Sequence, residues 1–167
     1  MKNSVSRPTL SLHVFNRQKT RRIDLHFLRQ IARDVAPTCF PDGGELGVHL
    51  IDSTQMARLN ERFLNHAGST DVITFNYQEN PDETRVCGEI YISVDDAVQS
   101  APRFRSTWQS ELVRYLVHGV LHLRGYDDLQ PAARRVMKRE ENRLLKDLSR
   151  RFDLGRLERV NNSHERK

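Results

Sequence analysis

His118 and His122 stand four residues apart in a stretch whose apolar positions, Leu112, Val113, Leu116, Val117, Val120 and Leu121, recur with helical spacing. On a helix that separation puts two imidazoles on one face, where both can reach one ion. Leu123-Arg124 ends the helix, Gly125 lets the chain reverse, and Tyr126-Asp127-Asp128 returns toward the histidines. A ligand from the returning loop would complete a three-ligand site with one open position, the arrangement of a catalytic metal. Water in that position would have its pKa lowered toward about 7, which makes hydroxide available at neutral pH.

Histidine pairs at this spacing are commonly ordinary polar residues, and three features argue for a ligand role here. Apolar surroundings leave both imidazoles semi-buried and in need of partners. Gly119 between them costs a helix about 1 kcal/mol relative to alanine, so something should approach the backbone there. The glycine turn then brings carboxylates back. Metallopeptidase helices of the H-E-x-x-H type carry their general base at the position of Gly119, so a peptidase is disfavoured.

The elements that must hold this site can be read from periodicity. Leu10–Phe15 alternates as a first strand. Leu25, Leu28, Ile31, Ala32 and Val35 share a helix face, with Pro37 just past its end. A second strand spans Leu46–Asp52, and Ser53 or Thr54 caps a short helix carrying Met56, Leu59, Asn60 and Phe63. Strands over Asp71–Tyr77 and Gly88–Ser93 flank the turn-rich segment Glu79–Asp82. Ser93 or Ser100 begins short helical segments limited by Pro102. The S-x-x-Q pattern of Ser106–Gln109 starts the histidine helix at Ser106, and Gly125 stops it. Pro131 suits the first turn of a final helix with Val136, Met137, Leu144, Leu145 and Leu148 as its stripe. These elements predict one α+β domain over residues 1–152, with a mixed four-stranded sheet covered mainly on one face and the cleft on a helix of the C-terminal half. Residues 153–167 read as a polar, basic tail.

Charge is unevenly distributed. Residues 1–22 carry six Lys/Arg and no acid, residues 134–167 carry twelve against six, and residues 23–133 carry nine against sixteen, so +6, +6 and −7 give the net +5. Basic ends around an acidic centre fit a protein that grips a polyanion peripherally and keeps carboxylates near its chemistry. No apolar run approaches the roughly 20 residues of a membrane span, and the N-terminus lacks a signal peptide's apolar segment. Cys39 and Cys87 form no CxxC, so a cytoplasmic protein with reduced thiols is expected.

The segment His118-Gly119-Val120-Leu121-His122-Leu123-Arg124-Gly125-Tyr126-Asp127 resembles the H-G-x-L-H-L-x-G-Y-D motif of the YbeY family of rRNA maturation factors. The resemblance extends to Leu59-Asn60, to Thr70–Phe75 against T-D-V-L-S-F, to Gly88-Glu89-Ile90 against G-D-I, and to Met137 with Glu141, in the family's order over about residues 45–145. It implies an α+β fold with one divalent metal, zinc first, in a cleft. It also implies single-strand-specific endoribonuclease activity in rRNA maturation and ribosome quality control. The implied partners are rRNA precursor and the small ribosomal subunit or its proteins.

Two departures bear on activity. The family motif ends G-Y-D-H, the last histidine being the third zinc ligand; here that position is Asp128, with Asp127 as the competing ligand. A carboxylate is shorter than imidazole and makes the ion less electrophilic, and oxygen for nitrogen shifts preference toward harder ions such as manganese. The family block L-N-x-x-Y-R reads Leu59–Leu64, so Leu64 replaces an arginine to which the resemblance gives a role in RNA contact or catalysis. Arg62 lies about 200° away around a helix and is no direct replacement. Asp71 and Glu89, at the starts of adjacent strands, are the further carboxylates expected to orient an imidazole or move a proton. His13, His26, His49, His66 and His164 have no ligand-like spacing. The alternative to a nuclease is a ribosome-biogenesis factor of the same fold that binds RNA and cuts it poorly or not at all.

Overall fold

Strand alternation sorts the apolar side chains onto one side of a sheet. In the computed structural model, which describes residues 9–80 and 82–159, Leu12 pairs in register with Leu46, and Val14 with Val48 and then Ile90. All five are buried in one core. The strands are β1 (Leu10–Asn16), β2 (Gly44–Ile51), β3 (Val72–Asn76) and β4 (Val86–Ser93), in the order β1-β2-β4-β3. β2 is parallel to both neighbours and β3 is antiparallel to β4, so the sheet is mixed, as expected.

Among the described residues five α-helices complete the fold: α1 (Leu25–Cys39), α2 (Ser53–Leu64), α3 (Val94–Arg103), α4 (Trp108–Leu123) and α5 (Pro131–Arg151). α1, α4 and α5 close the main core against one face of the sheet. On the other face Met56 of α2 packs with Ile51 and Ile73 in a smaller cluster. No described helix is long and apolar enough to cross a membrane.

Several boundaries differ from the sequence expectation. Pro37 lies inside α1, because its fixed φ is helical and it forfeits only one N–H near the end. Asp52, not Ser53 or Thr54, caps α2 by accepting from the Gln55 amide at 2.8 Å. Thr107, not Ser106, caps α4 by accepting from Ser110 N at 3.2 Å. Val136 is exposed although it falls in the apolar pattern of α5. The expected tail from Asp153 is not loose over its first residues. Leu154–Leu157 form a 3₁₀ turn whose two leucines are buried, and Glu158 bridges to Ile23. Two leucines three and six residues beyond the polar end of α5 carry too little pattern to be read as an element. Residues 1–8 and 160–167, His164 among them, lie outside the described residues.

α4 is the element that positions the site, and Gly119 sets how closely it approaches the sheet. A Cβ there would stand 2.6 Å from Ile90 Cγ2 of β4. Gly119→Ala should therefore destabilise the fold. Overpacking costs about 1–3 kcal/mol, which alanine's better helix propensity of about 1 kcal/mol offsets only in part. A lower urea midpoint with unchanged slope is the expected reading; a raised midpoint would mean that Ile90 gives way freely.

Candidate metal centre

The end of α4 is built to turn the chain back on itself. Gly125 takes φ 99°, its amide donates to His122 O at 2.9 Å, and the Tyr126 amide donates to Leu121 O at 3.0 Å. This is the Schellman arrangement, which glycine permits without strain. The loop beyond is fixed at Asp128, whose backbone carbonyl accepts from Arg134 Nε at 2.8 Å.

The turn brings together His118, His122 and Asp128, with one donor atom from each within 4.8 Å of the others. The two Nε2 atoms are 3.0 Å apart. Asp128 Oδ2 lies 3.6 Å from His118 Nε2 and 3.7 Å from His122 Nε2. A tetrahedral ion with metal–nitrogen bonds of about 2.0–2.1 Å separates its ligand atoms by roughly 3.3 Å, so the spacing fits. Both rings are half-buried, as the apolar context predicts.

The partners of the other ring nitrogens fix the tautomers. His118 Nδ1 meets Glu141 Oε2 at 2.9 Å, and His122 Nδ1 meets the Tyr126 carbonyl at 3.1 Å. Both partners can only accept, so Nδ1–H donates in each ring and Nε2 of each neutral imidazole carries a bare lone pair. Burial, reinforced by the proximity of His118, lowers the pKa of His122 against the opposing pull of Asp128, favouring its neutral form. His118 Nε2, His122 Nε2 and Asp128 Oδ2 thus converge on one point. That donor set suits a cation.

Glu141, on α5, is the functional residue the spacing arguments missed. It is 3% exposed. Its Oε1 accepts from Arg114 at 2.6 Å and from Lys138 at 2.8 Å while Oε2 holds His118. Burial alone would raise its pKa, but the hydrogen bonds from His118, Lys138 and Arg114 outweigh it and bring the carboxyl down to about 2. One signal was present in the sequence: an acid one turn from Met137 and from Leu145, inside the apolar stripe of α5.

The remaining expected residues separate. Asp71 and Thr70 line the cleft of about 600 Å³ that contains His118 and Asp128. Asp127 turns away and accepts from the Leu129 amide at 3.0 Å; it stands outside the three-donor cluster. Glu89 is on the opposite face of the sheet, a correction to its expected place in the cleft. It bonds His49 at 3.0 Å and the Tyr77 hydroxyl at 2.9 Å there. Strand alternation is the reason, since its neighbour Ile90 is the residue under Gly119. His49 itself is buried and stacked on Tyr91, apart from the site. Leu64 ends α2 half-exposed and outside the cleft lining, and Arg62 lies over the ring of Phe63. Arg103 and the exposed Phe104 also line the cleft, a pairing that no spacing argument suggested.

Comparison with known proteins places this arrangement. A family model described as Endoribonuclease YbeY matches residues 13–149. Endoribonuclease YbeY of Salinibacter ruber is 33% identical over 75% of this chain and 84% of its own length. That of Chlorobaculum parvum is 38% identical over 80% and 92%. The solution structure of a Thermotoga maritima protein superposes with a TM-score of 0.64 at 22% identity, covering 92% of this chain and 99% of the other, which shows the shared fold. The family match across most of the chain and the similarity to whole relatives lead to one conclusion: this chain belongs to the YbeY family.

Proposed function

We propose that the chain is a metal-dependent endoribonuclease that cuts single-stranded RNA in rRNA maturation and ribosome quality control. Its setting in this reading is the cytoplasm, with rRNA precursor and the small ribosomal subunit or its proteins as partners. The observation that carries it is the convergence of three donor atoms, His118 Nε2, His122 Nε2 and Asp128 Oδ2, at a cleft also lined by Arg103 and Arg134.

His118, His122 and Asp128 would hold one divalent ion, zinc first, with the carboxylate shifting preference somewhat toward harder ions such as manganese. Such an ion supplies Lewis-acid polarisation of a phosphoryl oxygen or of water. Glu141 holds the His118 ring with Nε2 turned inward. Arg103 offers its charge to the RNA backbone. Asp71, with Oδ1 held by Thr70 and the Val72 amide, is the carboxylate of the cleft suited to accept a proton. The non-cutting RNA-binding reading draws on Leu64, which leaves the family's arginine position without a charge.

Metal analysis of the purified protein, paired with cleavage of single-stranded RNA, tests this. The expected result is one divalent ion per chain and cleavage that chelation abolishes and the ion restores. RNA bound but uncut at every metal concentration would favour the binding factor; a chain that retains no metal would remove the ion from the reading. Asp128→His should hold zinc more tightly against a chelator, whereas Asp127→Ala should leave metal content alone. Unchanged zinc retention in Asp128→His would mean that Asp128 is no ligand.

A further inference from the structure

Described parts of the two basic segments meet at one junction. Ile23 bridges Glu158, the Asp24 amide donates to Leu157 O at 2.9 Å, and the Arg159 amide donates to Arg22 O at 3.0 Å. Beside this junction lies a groove of about 600 Å³ lined by Lys19, Arg21, Arg22 and Arg159, with Asn16, Gln18 and Ile23. No Asp or Glu is among the described residues that line it. Of the neighbouring acids, Asp24 caps α1 and its charge is felt by Arg159, and Glu158 accepts from Gln109 at 3.3 Å.

The groove is preorganised. Gln18 is buried and ties the loop at both ends, its Nε2 donating to Arg21 O and to Asn16 Oδ1, and its Oε1 accepting from the Arg21 amide, each at 2.9 Å. Thr20 hydrogen-bonds Asp95, anchoring the loop to α3. Arg21 Nε is buried and finds no acceptor among the described residues. In the metal cleft, by contrast, Arg114 and Lys138 are both ion-paired to Glu141.

We propose that this groove is an accessory binding site for the phosphodiester backbone of single-stranded RNA, holding the strand outside the metal cleft. It rests on the nuclease reading for its ligand class. The surfaces are adjacent. Thr20, between Lys19 and Arg21, hydrogen-bonds Asp95, whose neighbour Asp96 lines the metal cleft. A strand leaving the cleft past the start of α3 therefore reaches the groove. Backbone contacts of this kind carry no base preference and release counterions.

The test is binding of a labelled homopolymeric single-stranded RNA across a salt series. The triple variant Lys19→Ala/Arg21→Gln/Arg159→Ala should raise Kd about tenfold or more at low salt and reduce the steepness of log K against log salt by about 2, near 0.7 per lost contact. Cleavage of a dinucleotide, which cannot span both surfaces, should be unchanged. Lys19→Glu/Arg159→Glu, confined to two exposed positions, should act in the same direction if the triple variant folds poorly. Unchanged Kd and slope in both variants would overturn the proposal. So would inorganic phosphate competing as well as RNA of equal phosphate content, which would mark a small-anion site. If wild-type protein cuts no RNA but the slope still falls in the variants, the groove stands and the nuclease reading fails. Cleavage that depends on His118 with an unaltered slope reverses that outcome.

Discussion

His118→Ala and His122→Ala should each reduce bound metal to background and abolish RNA cleavage. Each removes one of only three converging donors, so the loss should exceed the 10–100-fold typical of a residue that merely supports a ligand. The fold should survive. Both side chains are partly exposed, and the packing of α4 rests on Leu112, Leu116, Val120 and Leu121, all buried. Thermal unfolding near that of the metal-free wild type, together with lost metal and lost cleavage, is the expected combination. Cleavage that persists unchanged in both variants would sink the catalytic reading.

Glu141 should show a different pattern, with effects on both metal and stability. Glu141→Gln keeps the size but puts an amide against three donors, so either His118 or the Arg114–Lys138 pair faces an N–H instead of an oxygen. Metal affinity should fall about 10–100-fold as the His118 ring loses its fixed orientation. Breaking a buried ion pair costs about 3–5 kcal/mol. Glu141→Ala should fall at the lower end of that range, because Arg114 and Lys138 are partly exposed and can turn to water. Chelator competition and urea unfolding measure the two separately. Full metal retention in Glu141→Gln would show that His118 is held without it.

The parts of this protein legible in its sequence are those in which neighbours along the chain are neighbours in space. His118, His122, Gly125 and Asp128 span one helix end and its turn, so their spacing nearly suffices to assemble them. Strand alternation likewise gives the four strands, although Asp52 and Thr107 show that a cap is legible only to within a residue. The choice between Asp127 and Asp128 turns on which side of a short loop each faces: Asp127 accepts from the Leu129 amide, while Asp128 stands in the three-donor cluster. Glu89 was misplaced because two strand starts close in sequence pattern can present opposite faces of a sheet. Glu141 lies 23 residues from His118 on another helix, and only packing of α4 on α5 makes them partners.

The compactness of the donor set also bears on how such a protein can change over time. All three converging donors lie within the end of one helix and its loop, and the third sits on a partly exposed turn whose backbone, not its side chain, is tied to Arg134. A single codon at position 128 can therefore exchange carboxylate for imidazole while leaving the sheet, the core and the position of both histidines untouched. On the proposed reading, the choice of ion is therefore separable from the architecture, since one residue can be retuned without refolding the rest.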